Sequence, residues 1–453
     1  MQTKVTQRST QLGPLVRAPR FIVALAAACL VSGADIHADE VTEWNAHAVQ
    51  VLLDTGASPF QWRTMAIVHA AIYDAVNGIQ QKYTPYFVTE WGPRGASAEA
   101  AAAQAGYTTL VTLHPSQKAT LDAQLASSLA KLPGNGTHNR RVQVGLAWGE
   151  YVANQILAWR STDGFTTPLP GYFGGGAAGV WRSPPAGTNA DGTLPAIFPQ
   201  LALLVPFTML SHDQFRPGPP PALTSALYAA DLNEVKAVGR IDSTVRTPEQ
   251  AQIANLWANV GLPNENDAIR PVVESYGRHF ALVDTARIFA LSNFAAEDAI
   301  IAGFDCKYTY NLWRPYHAIR LADTDGNPDT EADPNWNSLI PAPRHQEYVS
   351  NHAIITTAFM HTLAELLGDE HTYTISSPTY PGYSSTFTRF SDAAAQARDA
   401  RIFAGIHFRN SCNVGGEQGV KISKHAVHNF LLPLHEGHEH HSPMNREGDQ
   451  DRD

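Results

Sequence analysis

Apolar positions recur along most of this chain in steps of three and four, the spacing of one helix face. In the segment FQWRTMAIVHAAIYDAVNGI, Met65, Val68, Ala71, Ile72 and Val76 form such a stripe and predict a helix over 60–79. His69 and Asp74 lie on that stripe and read as satisfied core groups. Further helices are predicted over about 96–113, about 115–131 (stopped by Pro133-Gly134) and about 138–160. The period returns at about 225–238, and Thr247-Pro248-Glu249 starts another helix that ends near Val260. A long apolar helix follows over about 282–310. AIITTAFMHTLAELLG, after His352, is another strong helical run, and a helix from about Ser391 ends near Gly405. Strand-like alternation is scarce and no repeat of fixed period is present. The fold class is mainly α, a helical bundle with long Gly/Pro-rich loops.

Two stretches break the pattern. Residues 165–221 (GYFGGGAAGVW, RSPPAGTNADGTLP, RPGPPPAL) carry no sustained period. Their aromatic content favours an ordered excursion over the surface that lines the entrance to a site, rather than a linker between two halves. The acidic run DTDGNPDTEAD (Asp323 to Asp333) offers oxygen ligands for calcium without the EF-hand spacing, so a solvated turn is the plainer reading.

The ends of the chain set its compartment. Arg17 and Arg20 precede the apolar run FIVALAAACLVSGA, and Ala38 closes a small-residue site. Residues 1–38 therefore read as a secretory signal peptide, since the run is shorter than the roughly 20 residues a spanning helix needs. The expected localisation is secreted or periplasmic, with no membrane span after cleavage. Residues 39–434 then form one helical domain, and 435–453 (HEGHEHHSPMNREGDQDRD) a disordered His-rich tail. Export permits disulfides, and Cys306 and Cys412 are candidates for a bridge worth roughly 4–5 kcal/mol for a loop of about 100 residues.

With 453 residues, 44% of them apolar, the chain can bury a large core, and a net charge of -10 argues against nucleic acid as a partner. Against that negative background three cationic fragments stand out: KYTYNLWRP (Lys307 to Pro315), EYVSNH (Glu347 to His352) and RIFAGIHF (Arg401 to Phe408). Lys307 and Arg314, seven apart, fall on one face if the helix continues to Pro315. Guanidinium groups offer paired donors to an oxyanion and lysine adds a point charge. Ser350 is a helix N-cap candidate, where backbone N–H groups attract anions. His352 lies in the first turn, within proton-exchange reach of a bound anion.

The order Lys-x6-Arg-Pro, Ser-x-His, Arg-x5-His resembles the vanadium-dependent haloperoxidases and the related type 2 phosphatidic acid phosphatases, whose pattern is K-x6-RP, PSGH and SR-x5-H-x3-D. The resemblance is strong over residues 300–430 and weaker elsewhere, where FQWRTMAIVHAAIYDAVNGI and the PPAL stretch look like its bacterial branch. It departs at Val349 for proline, Asn351 for glycine, Ala400 for serine and Ser411 for aspartate. The resemblance implies that Lys307, Arg314 and Arg401 hold the equatorial oxygens of vanadate or phosphate, helped by Ser350 and the Asn351 N–H. It implies His407 as the axial metal ligand or phosphoryl-accepting nucleophile, His352 as acid–base, and His345 at the border of a halide pocket. With Ser411 unable to orient His407, Asp298 and Glu417 are the acids considered as replacements. The implied function is a vanadate-dependent haloperoxidase, which uses hydrogen peroxide to oxidise halide to hypohalous acid for halogenation of an organic acceptor. The alternatives are a secreted acid phosphatase acting through a phosphohistidine and a non-catalytic oxyanion-binding protein. Whether the chain forms a homo-oligomer is left open.

Overall fold

The computed structural model describes residues 38–56, 60–133, 139–184 and 194–434. The expected signal peptide (but for Ala38) and the His-rich tail fall outside these residues. Among them are thirteen α-helices and one two-stranded hairpin, and no helix is long and apolar enough to cross a membrane.

The first half holds α1 (Glu40–Asp54), α2 (Gln61–Gln80), α3 (Ala98–Leu113), α4 (Lys118–Lys131) and α5 (Arg140–Arg160). Asp39 closes a capping box on α1, and Ser97 and Asn139 accept from backbone N–H groups at the starts of α3 and α5. Small residues let these helices touch. A Cβ on Gly145 or Gly149 of α5 would come within 2.4 or 2.3 Å of the Ser97 or Ala101 carbonyl oxygen on α3. His69 is fully buried and its Nε2 meets Asn45 Oδ1 at 3.0 Å. Asp74 accepts from the N–H groups of Tyr86, Phe87 and Val88.

The second half holds α6 (Ala226–Val238), α7 (Pro248–Asn259), α8 (Leu262–Ser275), α9 (Leu282–Tyr310), α10 (Pro315–Arg320), α11 (Asn351–Leu367), β1 (Glu370–Ser376), β2 (Ser384–Arg389), α12 (Phe390–Phe403) and α13 (Arg409–Asn429). Helix α9 is the axis of the fold: from Val283 to Lys307 almost every residue is buried, polar ones such as Asn293, Glu297 and Asp298 included. It packs against α2 on one side and α11 and α13 on the other.

The elements that escape the sequence pattern are α1, α8, α10, the hairpin and α13. α8 carries Pro271 inside it. The hairpin buries Tyr373, Ile375 and Phe387 in alternation. α13 contains Gly415, Gly416 and Gly419, and a Cβ on Gly419 would come within 2.5 Å of the Ile354 carbonyl oxygen. Glycines that read as a loop are here the contact surface with α11.

The Gly/Pro-rich segment, where described, is ordered as expected. Trp181 is fully buried, and its N–H donates to the Asn311 carbonyl. Asp298 on α9 accepts from the backbone N–H groups of Phe207, Thr208 and Met209, so one carboxylate ties down the end of the excursion. The acidic loop is a turn: Asp325 accepts from Asn327 N and Thr330 Oγ1, and Asp333 pairs with Arg240 at 2.7 Å. No cluster of ligands suited to a metal ion occurs among the described residues.

Candidate anion-binding site

The three cationic fragments meet where α9 ends, α11 begins and α12 hands over to α13. Helix α9 stops at Tyr310 because Asn311 takes a left-handed conformation (φ 53°). Leu312 then pairs with Val180 of the excursion. Arg314 is the N-cap of α10 and Pro315 its first residue. The expectation that one helix carries both Lys307 and Arg314 up to Pro315 is therefore corrected: proline starts a helix here, where its missing N–H is harmless. The two cations converge across a turn instead of along a face.

Each cation is buried. Lys307 Nζ donates to the carbonyls of Glu347 (3.1 Å) and Val349. Arg314 donates through Nε to the His345 carbonyl (2.8 Å), through Nη1 to the Ile406 carbonyl (2.8 Å) and His407 Nε2 (2.9 Å), and through Nη2 to His345 Nδ1 (2.9 Å). Arg401, on the last turn of α12, reaches the Trp257 carbonyl through Nη1 (3.1 Å), while its Nε has no partner among the described residues. Burial lowers the proton affinity of all three: Lys307 falls well below its ordinary value, Arg314 to about 9 and Arg401 to about 10. For Lys307 the neighbouring Arg314 adds to the effect. Such a cluster is expensive without an anion.

The start of α11 supplies neutral donors. Ser350 is its N-cap and is fully buried; its hydroxyl caps no backbone N–H and meets the Cys412 thiol. Asn351 is the first helical residue, so its φ is ordinary and its N–H points out of the helix end. Its side chain fits because α9 has Gly303 opposite: a Cβ there would stand 2.8 Å from Asn351 Oδ1. His352 follows, with its proton affinity pushed well below normal by burial and then by Arg401.

His407 sits in the turn after Gly405 (φ 78°), between α12 and α13. Its Nδ1 lies 2.8 Å from Glu347 Oε1, and that same oxygen accepts from Phe408 N at 2.9 Å. Glu347 is fully buried, with its acidity weakened to about 7, chiefly by burial. Ser411 lies beside the same carboxyl. Sequence reasoning looked for the missing acid at Asp298 or Glu417; Asp298 instead holds the 207–209 backbone, and the acid on His407 is Glu347. The clue was in plain view, an acidic residue three positions before Ser350 in a fragment already singled out.

His345 is also buried, and burial followed by Arg314 lowers its proton affinity. The bridge expected between Cys306 and Cys412 is corrected: both are buried free thiols. Cys306 Sγ faces the Gln418 side chain at 3.7–3.8 Å and Cys412 lies beside Ser350, so each thiol is spent on a different neighbour.

Beside the cations a cavity of about 290 Å³ opens. Asn351, His352, Arg401, His407 and His345 line one side, and Phe198, Ile300, Phe304 and Ile355 contribute to an apolar side. Phe198 places the Gly/Pro-rich excursion at this site. The arrangement suits an oxyanion: three cations, a helix start, the buried Ser350 hydroxyl, and Arg401 Nε, which has no partner among the described residues.

Residues 287–435 match the family of the VCPO second helical-bundle domain. A vanadium chloroperoxidase from Curvularia inaequalis is 28% identical over 172 residues, which covers 31% of this chain and 28% of that protein. The chain thus spans less than a third of that relative. The crystal structure of the first bacterial vanadium-dependent iodoperoxidase is similar with a TM-score of 0.69 at 24% identity, over 87% of this chain and 95% of that one. A holo-type bacterial vanadium-dependent chloroperoxidase structure gives 0.65 at 17% identity, over 82% and 94%.

Proposed function

We propose that this chain, whose residues 287–435 match the VCPO second helical-bundle domain, is an exported, vanadate-dependent haloperoxidase acting on halide, hydrogen peroxide and an organic acceptor. The observation that carries the reading is the set of three buried cations, one with a donor, Arg401 Nε, unpartnered among the described residues, beside a histidine held by a carboxylate. Lys307, Arg314 and Arg401 would hold the anion's oxygens, with Ser350 Oγ and the Asn351 N–H at the start of α11. Glu347 keeps the His407 ring turned with Nδ1–H toward itself, which leaves Nε2, now met by Arg314 Nη1 at 2.9 Å, as the nitrogen that would face the bound group. Bound vanadate supplies Lewis-acid activation of the peroxide without a change of oxidation state. His352 exchanges protons with the oxygens of the bound group, and the anion's negative charge restores the proton affinity that burial and Arg401 remove. The apolar wall excludes water and gives the acceptor a place to wait.

The test is halogenation of a dye by the apo protein with added vanadate, peroxide and bromide or iodide, with p-nitrophenyl phosphate hydrolysis in parallel. Vanadate-dependent halogenation that disappears in His407→Ala supports the reading. Phosphate hydrolysis inhibited by vanadate, without halogenation, replaces it with a phosphatase working through His407. Neither activity leaves a binding protein.

A further inference from the structure

The cavity contains one carboxyl that the proposed chemistry leaves idle. Glu265, on the first turn of α8, lines it together with His352 and Arg401 and is 2% exposed. Thr356 Oγ1 donates to its Oε1 at 2.6 Å. Thr356 stands four residues after His352, on the same face of α11, so the carboxyl and the histidine look into one chamber. Trp62 lines the cavity as well, and its indole N–H has no partner among the described residues. Burial pushes the Glu265 acid up to about 7, and the Thr356 hydrogen bond offsets only part of that. A carboxyl with one donor in an otherwise apolar wall is a cost for the folded protein, and it is repaid if a ligand brings the second donor.

We propose that Glu265 is the docking group for the organic acceptor and selects phenols, whose hydroxyl donates to the carboxyl while the ring lies against the apolar wall. This rests on the haloperoxidase reading above. Arg401, which lines the cavity, opposes a protonated amine, so the donor is best carried by a neutral molecule. A purely apolar molecule leaves the second carboxyl oxygen without a donor, a mismatch that buried polar groups penalise strongly. A cavity of about 290 Å³ is at the small end for ligand pockets, suited to a single ring. The chemistry balances: hypohalous acid passes its halogen to a ring carbon, the C–H bond at that carbon breaks, and the proton joins the departing hydroxide as water.

Binding is measured first on the vanadate-free protein, by quenching of tryptophan emission with phenol, anisole and benzylamine. Phenol is expected to bind about tenfold tighter than anisole, the size of one good hydrogen bond to a carboxyl. Glu265→Leu erases this preference, and Glu265→Gln, which keeps a carbonyl acceptor, retains part of it. In the loaded enzyme, the phenol-to-anisole ratio of kcat/KM falls to about one in Glu265→Leu, through KM. Equal binding of phenol and anisole by the wild-type protein, or tighter binding of benzylamine, overturns the proposal. A wild-type preference for phenol in a protein that forms no triiodide from iodide and peroxide upholds the docking site and rejects the haloperoxidase reading.

Discussion

Two groups of buried arginines occupy this protein, and they are built on opposite principles. Beneath the Gly/Pro-rich excursion, Arg63 and Arg160 share Asp163: Arg63 Nε lies 2.7 Å and Arg160 Nε 3.3 Å from the same carboxylate oxygen. Their remaining donors go to the Arg160 and Val205 carbonyls at 2.7 Å. Around His407, Arg314 and Arg401 spend their donors on carbonyls and imidazoles, and among the described residues no carboxylate forms an ion pair with either. Of the two buried acids of this region, Glu347 faces the histidine and Glu265 accepts from Thr356. In the first group the chain supplies its own counter-ion. In the second it leaves the charge open, and the deficit is the binding site.

The largest expected effect separates the two groups outright. Asp163→Ala should destabilise the vanadate-free protein by about 3–5 kcal/mol in denaturant unfolding, since it strands two buried cations. Arg401→Met, which removes an unbalanced cation and keeps the bulk, should change stability by less than about 1 kcal/mol. An Arg401→Met cost equal to that of Asp163→Ala would erase the distinction. Second, vanadate at about a hundred times its Kd should stabilise the wild-type fold by about 2.7 kcal/mol. At the same concentration it should stabilise Arg401→Met far less, and a thermal-shift titration reads both. Third, Glu347→Gln should weaken vanadate binding about 10- to 100-fold, the usual cost of losing a ligand's orienting acid, with the fold intact by circular dichroism. Undiminished affinity would mean that the Glu347 contact does not orient His407.

A test read as a slope against pH sharpens the paired group. Glu297 lies fully buried near Arg160 and Arg63, both its oxygens lack a partner among the described residues, and burial raises its pKa from 4.5 to about 8. The folded protein therefore holds a proton that the unfolded chain releases. This contribution is complete below pH 4.5 and fades as the pH rises to about 8, with a slope of at most about 1.4 kcal/mol per unit. Glu297→Gln should flatten stability against pH across that window, measured by urea midpoints.

Much of this was legible in the chain. The α2 stripe, the limits of α9 and the three cationic fragments follow from period and spacing, because helices with one apolar face advertise themselves. What could not be read had physical reasons. Glycines in α13 serve close packing against α11, which looks locally like a loop. Asn311 ends α9 by a single left-handed residue, which turned an expected continuous face into a corner. Glu347 reaches His407 only because the chain before α11 folds back past the start of α13, a tertiary fact that no spacing rule contains. Cys306 and Cys412 bracket the site in sequence, yet their side chains serve different neighbours.

The contact between Asn351 and Gly303 bears on how such a sequence can drift. A Cβ at position 303 would stand 2.8 Å from Asn351 Oδ1, the far end of a flexible side chain, so growth at 303 asks that amide to turn aside. The two positions lie 48 residues apart yet bear on one contact, and a substitution at either is felt by the other.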